Sequence, residues 1–293
     1  MTLTHLHRPR RGAALMIGAG ALFALANTAV QYAVMSQSVS APSVAFWQYG
    51  IALLAMLPTL RGFSALKTQH PLSHILRVAL SAAGIQLWVM GLAYVPIWQA
   101  IALVMLSPFF VTIGASVWLG EALTLPRIVA VITGFVGGMV ILAPWSESFD
   151  LHALYPVGAA VFWAGVSLLT KKLGARDSAQ TLTLYLLLLL TPFNAIVALP
   201  SGFALPLGLT GATVLGAGLA TALAQFMLAR AYQIADASYL QPFDHLKLPL
   251  NVALGVLAFG FIPPGTLWLG ALLIVGASFA LYQIETLQVK ARA

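Results

Sequence analysis

The sequence predicts an all-α membrane protein with ten transmembrane helices, arranged as two inverted five-helix repeats. Three observations support this prediction. Long apolar stretches fill the 293 residues, basic residues occur in alternate turns, and segments of the first half recur in the second half. The chain is 60% apolar and 7% charged, whereas soluble domains are about 45–50% apolar and about 25% charged. A water-soluble fold could not bury so much hydrocarbon, so that class is excluded.

Each apolar stretch can form a helix that crosses a bilayer. Crossing takes about 20 apolar residues, and only helices and closed barrels satisfy their backbone in lipid. The stretches lack the period-two alternation of strands, so each is predicted to be helical. The first stretch resembles a signal peptide, but nine more follow it, so we interpret it as the first helix. The predicted spans are 12–34, 44–60, 76–93, 97–118, 125–142, 154–170, 181–199, 207–229, 238–258 and 266–283.

The basic residues predict the orientation of these spans. Lysine and arginine near span ends are retained on the cytoplasmic side. With ten spans, every base except Lys247 falls on one side, and an opposite turn contains Glu147 and Asp150. We therefore expect an inner-membrane protein with both termini in the cytoplasm. The bases on that side are Arg8, Arg10, Arg11, Arg61, Lys67, Arg77, Arg127, Lys171, Lys172, Arg176, Arg230, Lys290 and Arg292.

An internal duplication divides the chain. The Ala-Tyr pair at 93–94 recurs at 231–232, and the Leu-x-Pro-Phe segment around Pro108 recurs around Pro242. We place the repeats at 12–145 and 152–287. Because each contains five spans, the second copy enters the membrane from the opposite side. Inverted repeats of this kind are typical of carriers that expose one site alternately to each face.

The ninth predicted span is unusually polar for a membrane helix. It contains Gln241, Asp244, His245, Lys247 and Asn251, although an unpaired charge inside a membrane costs at least about 2.5–3.5 kcal/mol. At 100° per residue, a polar stripe of four of them must point into the bundle, and His245 flanks that stripe on the Gln241 side. Asp244 and Lys247 are close enough to pair. The pair either fixes helix packing or contacts substrate, and His245 either packs or takes part in proton or substrate binding.

Prolines give a second indication of a site. Pro108 in the fourth span, with Pro242 and Pro249 in the ninth, would each remove an intrahelical hydrogen bond. Interrupted helices at corresponding positions of two halves often surround a transporter site. The alternative is a simple kink that helps packing.

Further polar and aromatic residues inside the spans are candidates for a cavity wall. Amides and aromatic rings bind zwitterions and planar groups without fixed charge. Trp163 ranks first because it lies in the middle of a span, although a packing role is equally open. The glycines at 134, 137 and 138 predict a close helix contact, within the chain or in a dimer. The other candidates are Asn27, Gln86 and Gln225, with weaker ones at Gln31, Gln48, Trp88 and Asn194.

Two segments resemble a known family. Val104 to Phe109, then Trp118-Leu119-Gly120-Glu121 and a glycine-rich span, are similar to the EamA domain of the drug/metabolite transporter superfamily, and residues 241–249 and 259–274 repeat the pattern. The resemblance implies a ten-helix, inverted-repeat carrier for small organic solutes with a central cavity. Members include exporters of amino acids and uptake carriers for S-adenosylmethionine. Phe261 and Gln48 depart from the family, which usually has glutamate and often arginine at those positions.

The predicted function is secondary transport. We expect a carrier for small zwitterionic metabolites, because Asp244 and Lys247 offset each other's charge. Amino acids as the foremost substrate, and export as the direction, are what the family resemblance implies. The alternative is an uptake carrier for a nucleoside-like or other small metabolite. The expected partners are a small-molecule substrate and the lipid bilayer, with no nucleic acid, since the bases lie in separate turns. No cofactor is expected, and a monomer is the expected state.

Other classes of protein fit the sequence poorly. An enzyme is not expected, because there is no cysteine nucleophile and no H-E-x-x-H arrangement. Primary pumping is not expected either, because there is no glycine-rich ATP-binding motif. A receptor or scaffold would not account for the duplicated interrupted helices. The small multidrug relatives of the superfamily use a glutamate in the first span, which this chain lacks, so their cation exchange is not expected.

Overall fold

The computed structural model describes residues 9–36, 39–59, 68–119, 124–147, 149–174, 176–204, 207–234, 243 and 246–292. Within these ranges every regular element is helical and there is no strand. Short 3-10 turns occur at Leu57–Thr59, Leu151–Ala153 and Leu199–Ser201. The helices are α1 (Pro9–Ser36), α2 (Ala41–Met56), α3 (Pro71–Tyr94), α4 (Ile97–Val104), α5 (Ser107–Leu119), α6 (Leu125–Leu142), α7 (Leu154–Gly174), α8 (Ala179–Ala198), α9 (Gly208–Ile234), α10 (Lys247–Phe259) and α11 (Gly265–Arg292).

The helices have the length and composition of a multi-pass membrane protein. Seven segments in the described ranges are long and apolar enough to cross a membrane, and the α4–α5 pair counts as one of them. Three shorter apolar helices, Ala41–Met56, Lys247–Phe259 and Gly265–Leu281, lie where the second, ninth and tenth spans are predicted. The count of ten spans stays a prediction.

Local sequence explains where several helices begin. Proline occupies the first turn of α2, α3 and α6, where its missing N–H would have no intrahelical partner anyway. Ser178 caps α8 by accepting a hydrogen bond from the Thr181 N–H at 3.1 Å. Several helices extend beyond their predicted spans. For example, α3 begins at Pro71 and α11 ends at Arg292.

The predicted interruption of the fourth span is confirmed. α4 ends at Val104 and α5 begins at Ser107, with a turn at residues 105–106. Pro108 lies in the first turn of α5, and the Phe109 and Phe110 N–H groups both donate to the Leu106 carbonyl. Pro249 likewise lies in the first turn of α10, which begins at Lys247 after a turn at Leu246. The break in the ninth span stays a prediction, because residues 244 and 245 lie outside the described residues. Pro242 lies outside the described residues.

The predicted glycine contact lies within the chain. A Cβ atom on Gly137 in α6 would lie 2.7 Å from the Gly270 carbonyl oxygen in α11, and one on Gly270 would lie 2.6 Å from the Gly137 oxygen. The backbones of these helices therefore touch. Gly134 faces Phe109, and Gly138 faces Leu106, so the same surface of α6 also receives the α4–α5 segment.

Many of the packed helix pairs join distant parts of the chain. α1 packs along α9, and α3 packs along α7. α2 lies between α8 and α9, while α8 also contacts α3. α1 contacts α10, α5 contacts α7, and α6 runs along α11. The buried apolar core extends through α3 and α4, and most of α4 is shielded from solvent.

Candidate functional site

The structure places most of the predicted site residues on separate helices. Asn27 is on α1, Gln86 on α3, Trp163 on α7, Gln225 on α9, and Lys247 and Asn251 on α10. Gln241, Asp244 and His245 lie outside the described residues, so the predicted Asp244–Lys247 pair stays a prediction. The described candidates and their neighbours make several groups of contacts at helix interfaces.

The first group joins α1 to α10. The Asn27 Nδ2 group donates a hydrogen bond to Asn251 Oδ1 at 3.3 Å. The Asn251 Nδ2 group donates to the Lys247 carbonyl one turn earlier at 2.6 Å, a back-bond that holds the amide in place. Asn251 is fully buried, and Lys247 is half-buried with its Cβ facing Gly20 of α1. Two predicted residues thus meet at a helix interface.

The second group is a pair of indole rings between α3 and α7. The rings of Trp88 and Trp163 are tilted, with centroids 5.8 Å apart. A Cβ atom on Gly84 would lie 2.6 Å from Trp163 Nε1, so this indole fits only against a glycine. Gly84 and Trp88 are four residues apart on one face of α3. Trp163 is half-buried.

The third group consists of amide contacts that cross between helices. Gln86 Nε2 donates to Asn194 Oδ1 of α8 at 2.9 Å. Gln48 Nε2 of α2 donates to Thr221 Oγ1 of α9, also at 2.9 Å. The sequence did not single out Thr221. Its spacing of four from Gln225, which puts both on one face of α9, was the available signal.

Gln31 has a structural explanation. Its Nε2 group donates to the carbonyl oxygens of Leu92 at 3.3 Å and Val95 at 2.9 Å. Pro96 has no N–H with which to satisfy the Leu92 carbonyl. Gln31 therefore caps the end of α3 from α1, which is a packing role.

A further polar cluster, which the sequence did not predict, joins α3 to the turn between α7 and α8. His74 Nε2 lies 2.8 Å from Asp177 Oδ2, and the Thr68 hydroxyl donates to the same oxygen at 2.9 Å. Arg77 Nη2 donates to the Leu182 carbonyl at 2.6 Å. His74 also stacks on Tyr185, with ring centroids 4.4 Å apart.

This cluster corrects the prediction for Arg77 and shifts the acidity of Asp177. Arg77 was predicted at the cytoplasmic end of the third span, 76–93, but α3 begins at Pro71, so Arg77 lies more than one turn inside the helix and is buried. Burial by itself would raise the pKa of Asp177. Hydrogen bonds from His74 and Thr68, with the charge of His74 and His70, outweigh burial and hold the pKa below its ordinary value.

The fold and these contacts define a class: a multi-pass, all-helical membrane protein with mostly uncharged polar groups at its helix interfaces. Residues 10–143 match the EamA-like transporter family. The riboflavin transporter of Vibrio cholerae serotype O1 is 51% identical over 96% of this chain and 95% of its own length. This chain belongs to the EamA-like transporter family of the drug/metabolite transporter superfamily, and it is a transporter rather than an enzyme.

Two further relatives and one solved structure are also similar to this chain. The riboflavin transporter of Rhizobium johnstonii is 50% identical over 94% of this chain and 91% of its own length. The S-adenosylmethionine uptake transporter of Rickettsia conorii is 30% identical over 79% of each chain. A crystal structure of another protein, 18% identical, superposes with a TM-score of 0.65 over 91% of this chain and 95% of that one. This last likeness shows a shared fold.

Proposed function

We propose that this chain transports riboflavin, or a flavin with the same ring system, across the bacterial inner membrane as a secondary carrier. The observation that carries the proposal is the pair of relatives named riboflavin transporter, which are 51% and 50% identical to nearly the whole chain. Riboflavin fits the alternative predicted above, an uptake carrier for a nucleoside-like metabolite, better than it fits amino-acid export.

The chemistry of the described helices supports a neutral, planar substrate. Helices α1 to α10 contain no aspartate or glutamate. Their polar side chains at helix interfaces include the amides of Asn27, Gln86 and Asn251. The isoalloxazine ring of riboflavin is flat and uncharged near neutral pH, so aromatic faces such as Trp163 and amide groups suit it.

Amino-acid export is the second candidate. An amino acid needs a cation partner for its carboxylate and an anion partner for its ammonium group. Lys247 could serve the first, and the acid available in sequence is Asp244, which lies outside the described residues. The relatives reported above are named for riboflavin and S-adenosylmethionine, which favours a heterocyclic substrate.

We further propose that transport proceeds by alternating access between two inverted five-helix halves, with both termini in the cytoplasm. In the proposed repeat, the first to fifth spans correspond to the sixth to tenth. Under this correspondence the packed pair α1–α9 becomes α7–α3, which is also a packed pair. Likewise, α1–α10 becomes α7–α5, and α2–α9 becomes α8–α3. These are also packed pairs, and α6–α11 corresponds to itself. This pattern of packing supports the pseudo-two-fold relation.

Uptake measurements test the proposed substrate. The chain is expressed in a bacterium that can neither synthesise nor import riboflavin, and entry of labelled riboflavin is measured. We expect saturable uptake that excess unlabelled riboflavin blocks and that amino acids or S-adenosylmethionine leave unchanged. Block by an amino acid, or uptake no greater than with an empty vector, would contradict the proposal.

A further inference from the structure

The amide pair formed by Gln86 and Asn194 leaves two polar atoms without a partner. Gln86 Nε2 donates to Asn194 Oδ1 at 2.9 Å, which uses one group of each side chain. Gln86 Oε1 and Asn194 Nδ2 are both buried and have no hydrogen-bond partner among the described residues. Asn194 is fully buried on α8, and Gln86 is half-buried on α3.

The unsatisfied groups do not depend on how the amides are oriented. Exchanging oxygen and nitrogen on both side chains gives the same single hydrogen bond and again leaves one carbonyl oxygen and one amino group. An unsatisfied buried polar group destabilises the fold, and water is scarce at membrane depth. A polar ligand that supplied one donor and one acceptor would remove this cost.

The imide edge of the flavin ring has this chemistry. Its N3–H group is a donor that lies between two ring carbonyls, which are acceptors. An amide oxygen can accept the N3–H bond while a neighbouring amino group donates to an adjacent ring carbonyl. Building on the riboflavin transport proposed above, we propose that Gln86 and Asn194 bind the imide edge of the flavin and select ligands with a free N3–H.

Binding at this pair requires movement of α3 relative to α8. Both unsatisfied atoms are shielded in this structure, so the ligand reaches them in another state of the transport cycle. The two helices belong to opposite predicted halves, whose relative movement is the basis of alternating access. The ligand would stabilise the open state because it satisfies groups that the closed state leaves unsatisfied.

The amide pair acts separately from the tryptophan pair. Gln86 is two residues from both Gly84 and Trp88, so it points about 200° away from them around α3. Recognition of the imide edge therefore requires no contact with Trp163. Replacing Trp163 is therefore not expected to change the preference between riboflavin and its analogues.

Competition with riboflavin methylated at N3 tests the inference. This analogue keeps the ring and the ribityl chain but lacks the imide donor. We expect it to compete with labelled riboflavin at least about tenfold more weakly than unlabelled riboflavin does, since sites built for a hydrogen bond reject ligands that lack it. In Gln86→Leu and Asn194→Leu, riboflavin binds more weakly and the preference between the two compounds is lost.

Gln48→Leu is the matched control. It removes an interhelical hydrogen bond of the same length, donated by a side-chain amide, but it should keep the preference for riboflavin over the N3-methyl analogue. Should the leucine variants fail to fold, the double variant Gln86→Asn/Asn194→Gln retains both amides and is expected to retain the preference. Equal competition by the two compounds in the wild-type chain, or an unchanged preference in the leucine variants, would overturn the inference while riboflavin transport stands. Absence of wild-type riboflavin uptake would overturn both.

Discussion

At the scale of single residues, Gly84 shows how a small side chain fixes a large one. A Cβ atom there would lie within 2.6–2.7 Å of two atoms of the Trp163 indole, closer than van der Waals contact allows. Gly84→Ala must therefore displace Trp163. We expect this change to destabilise the protein by about 1–3 kcal/mol and to lower riboflavin uptake, as measured by thermal unfolding and transport assays.

Gly216→Ala is the control for this prediction. Gly216 is also helical, in α9, but a Cβ atom there would meet no atom within 4 Å. Alanine favours helix over glycine by about 1 kcal/mol, so this variant should be neutral or slightly stabilised. Equal effects of the two substitutions would show that Trp163 does not depend on the space at Gly84.

Asp177 gives a prediction about pH. Its pKa in the folded protein is lowered, so its stabilising contribution is present above the ordinary value of about 3.9 and is lost as pH falls through the folded pKa. Asp177→Asn should therefore lower the melting temperature throughout the neutral and weakly acidic range. If the difference in melting temperature between the variant and the wild type disappeared at a pH still well above the ordinary aspartate pKa, this assignment would be contradicted.

At the scale of helices, α6 and α11 depend on glycine for their close approach. Gly137→Val would place methyl groups against the Gly270 carbonyl and the side chains of Leu273 and Ile274. We expect the helices to separate and the yield of folded protein to fall sharply, measured by size-exclusion chromatography in detergent. Gly276→Ala, on the same α11 where a Cβ atom meets nothing within 4 Å, should behave as wild type.

Helix positions were largely predictable, because a membrane helix needs a long apolar stretch that the sequence shows directly. The fifth predicted span, 125–142, has the same limits as α6. Pro108 correctly predicted a break, and it lies in the first turn of the helix that follows the break, where proline is favoured. The start of α3 was placed too late because His74 is polar, and hydropathy alone cannot show that it bonds to Asp177 in the turn between α7 and α8.

At the scale of the whole molecule, contacts between distant parts of the chain were not predictable. Gln86 and Asn194 are 108 residues apart, and Gln48 and Thr221 are 173 apart. Each was a polar residue in an apolar stretch, but its partner depends on how the helices pack. The His74–Asp177 contact, 103 residues apart, likewise joins the two predicted halves. Sequence thus indicated candidate residues, and packing determined their pairs.

The central claim, that this chain is a flavin carrier, is tested most directly by counterflow in proteoliposomes. Purified protein is reconstituted into vesicles loaded with unlabelled riboflavin, and labelled riboflavin is added outside. We predict transient accumulation of label that depends on the internal riboflavin and is absent from vesicles loaded with an amino acid. Accumulation of labelled amino acid in amino-acid-loaded vesicles, with no exchange of riboflavin, would contradict the claim.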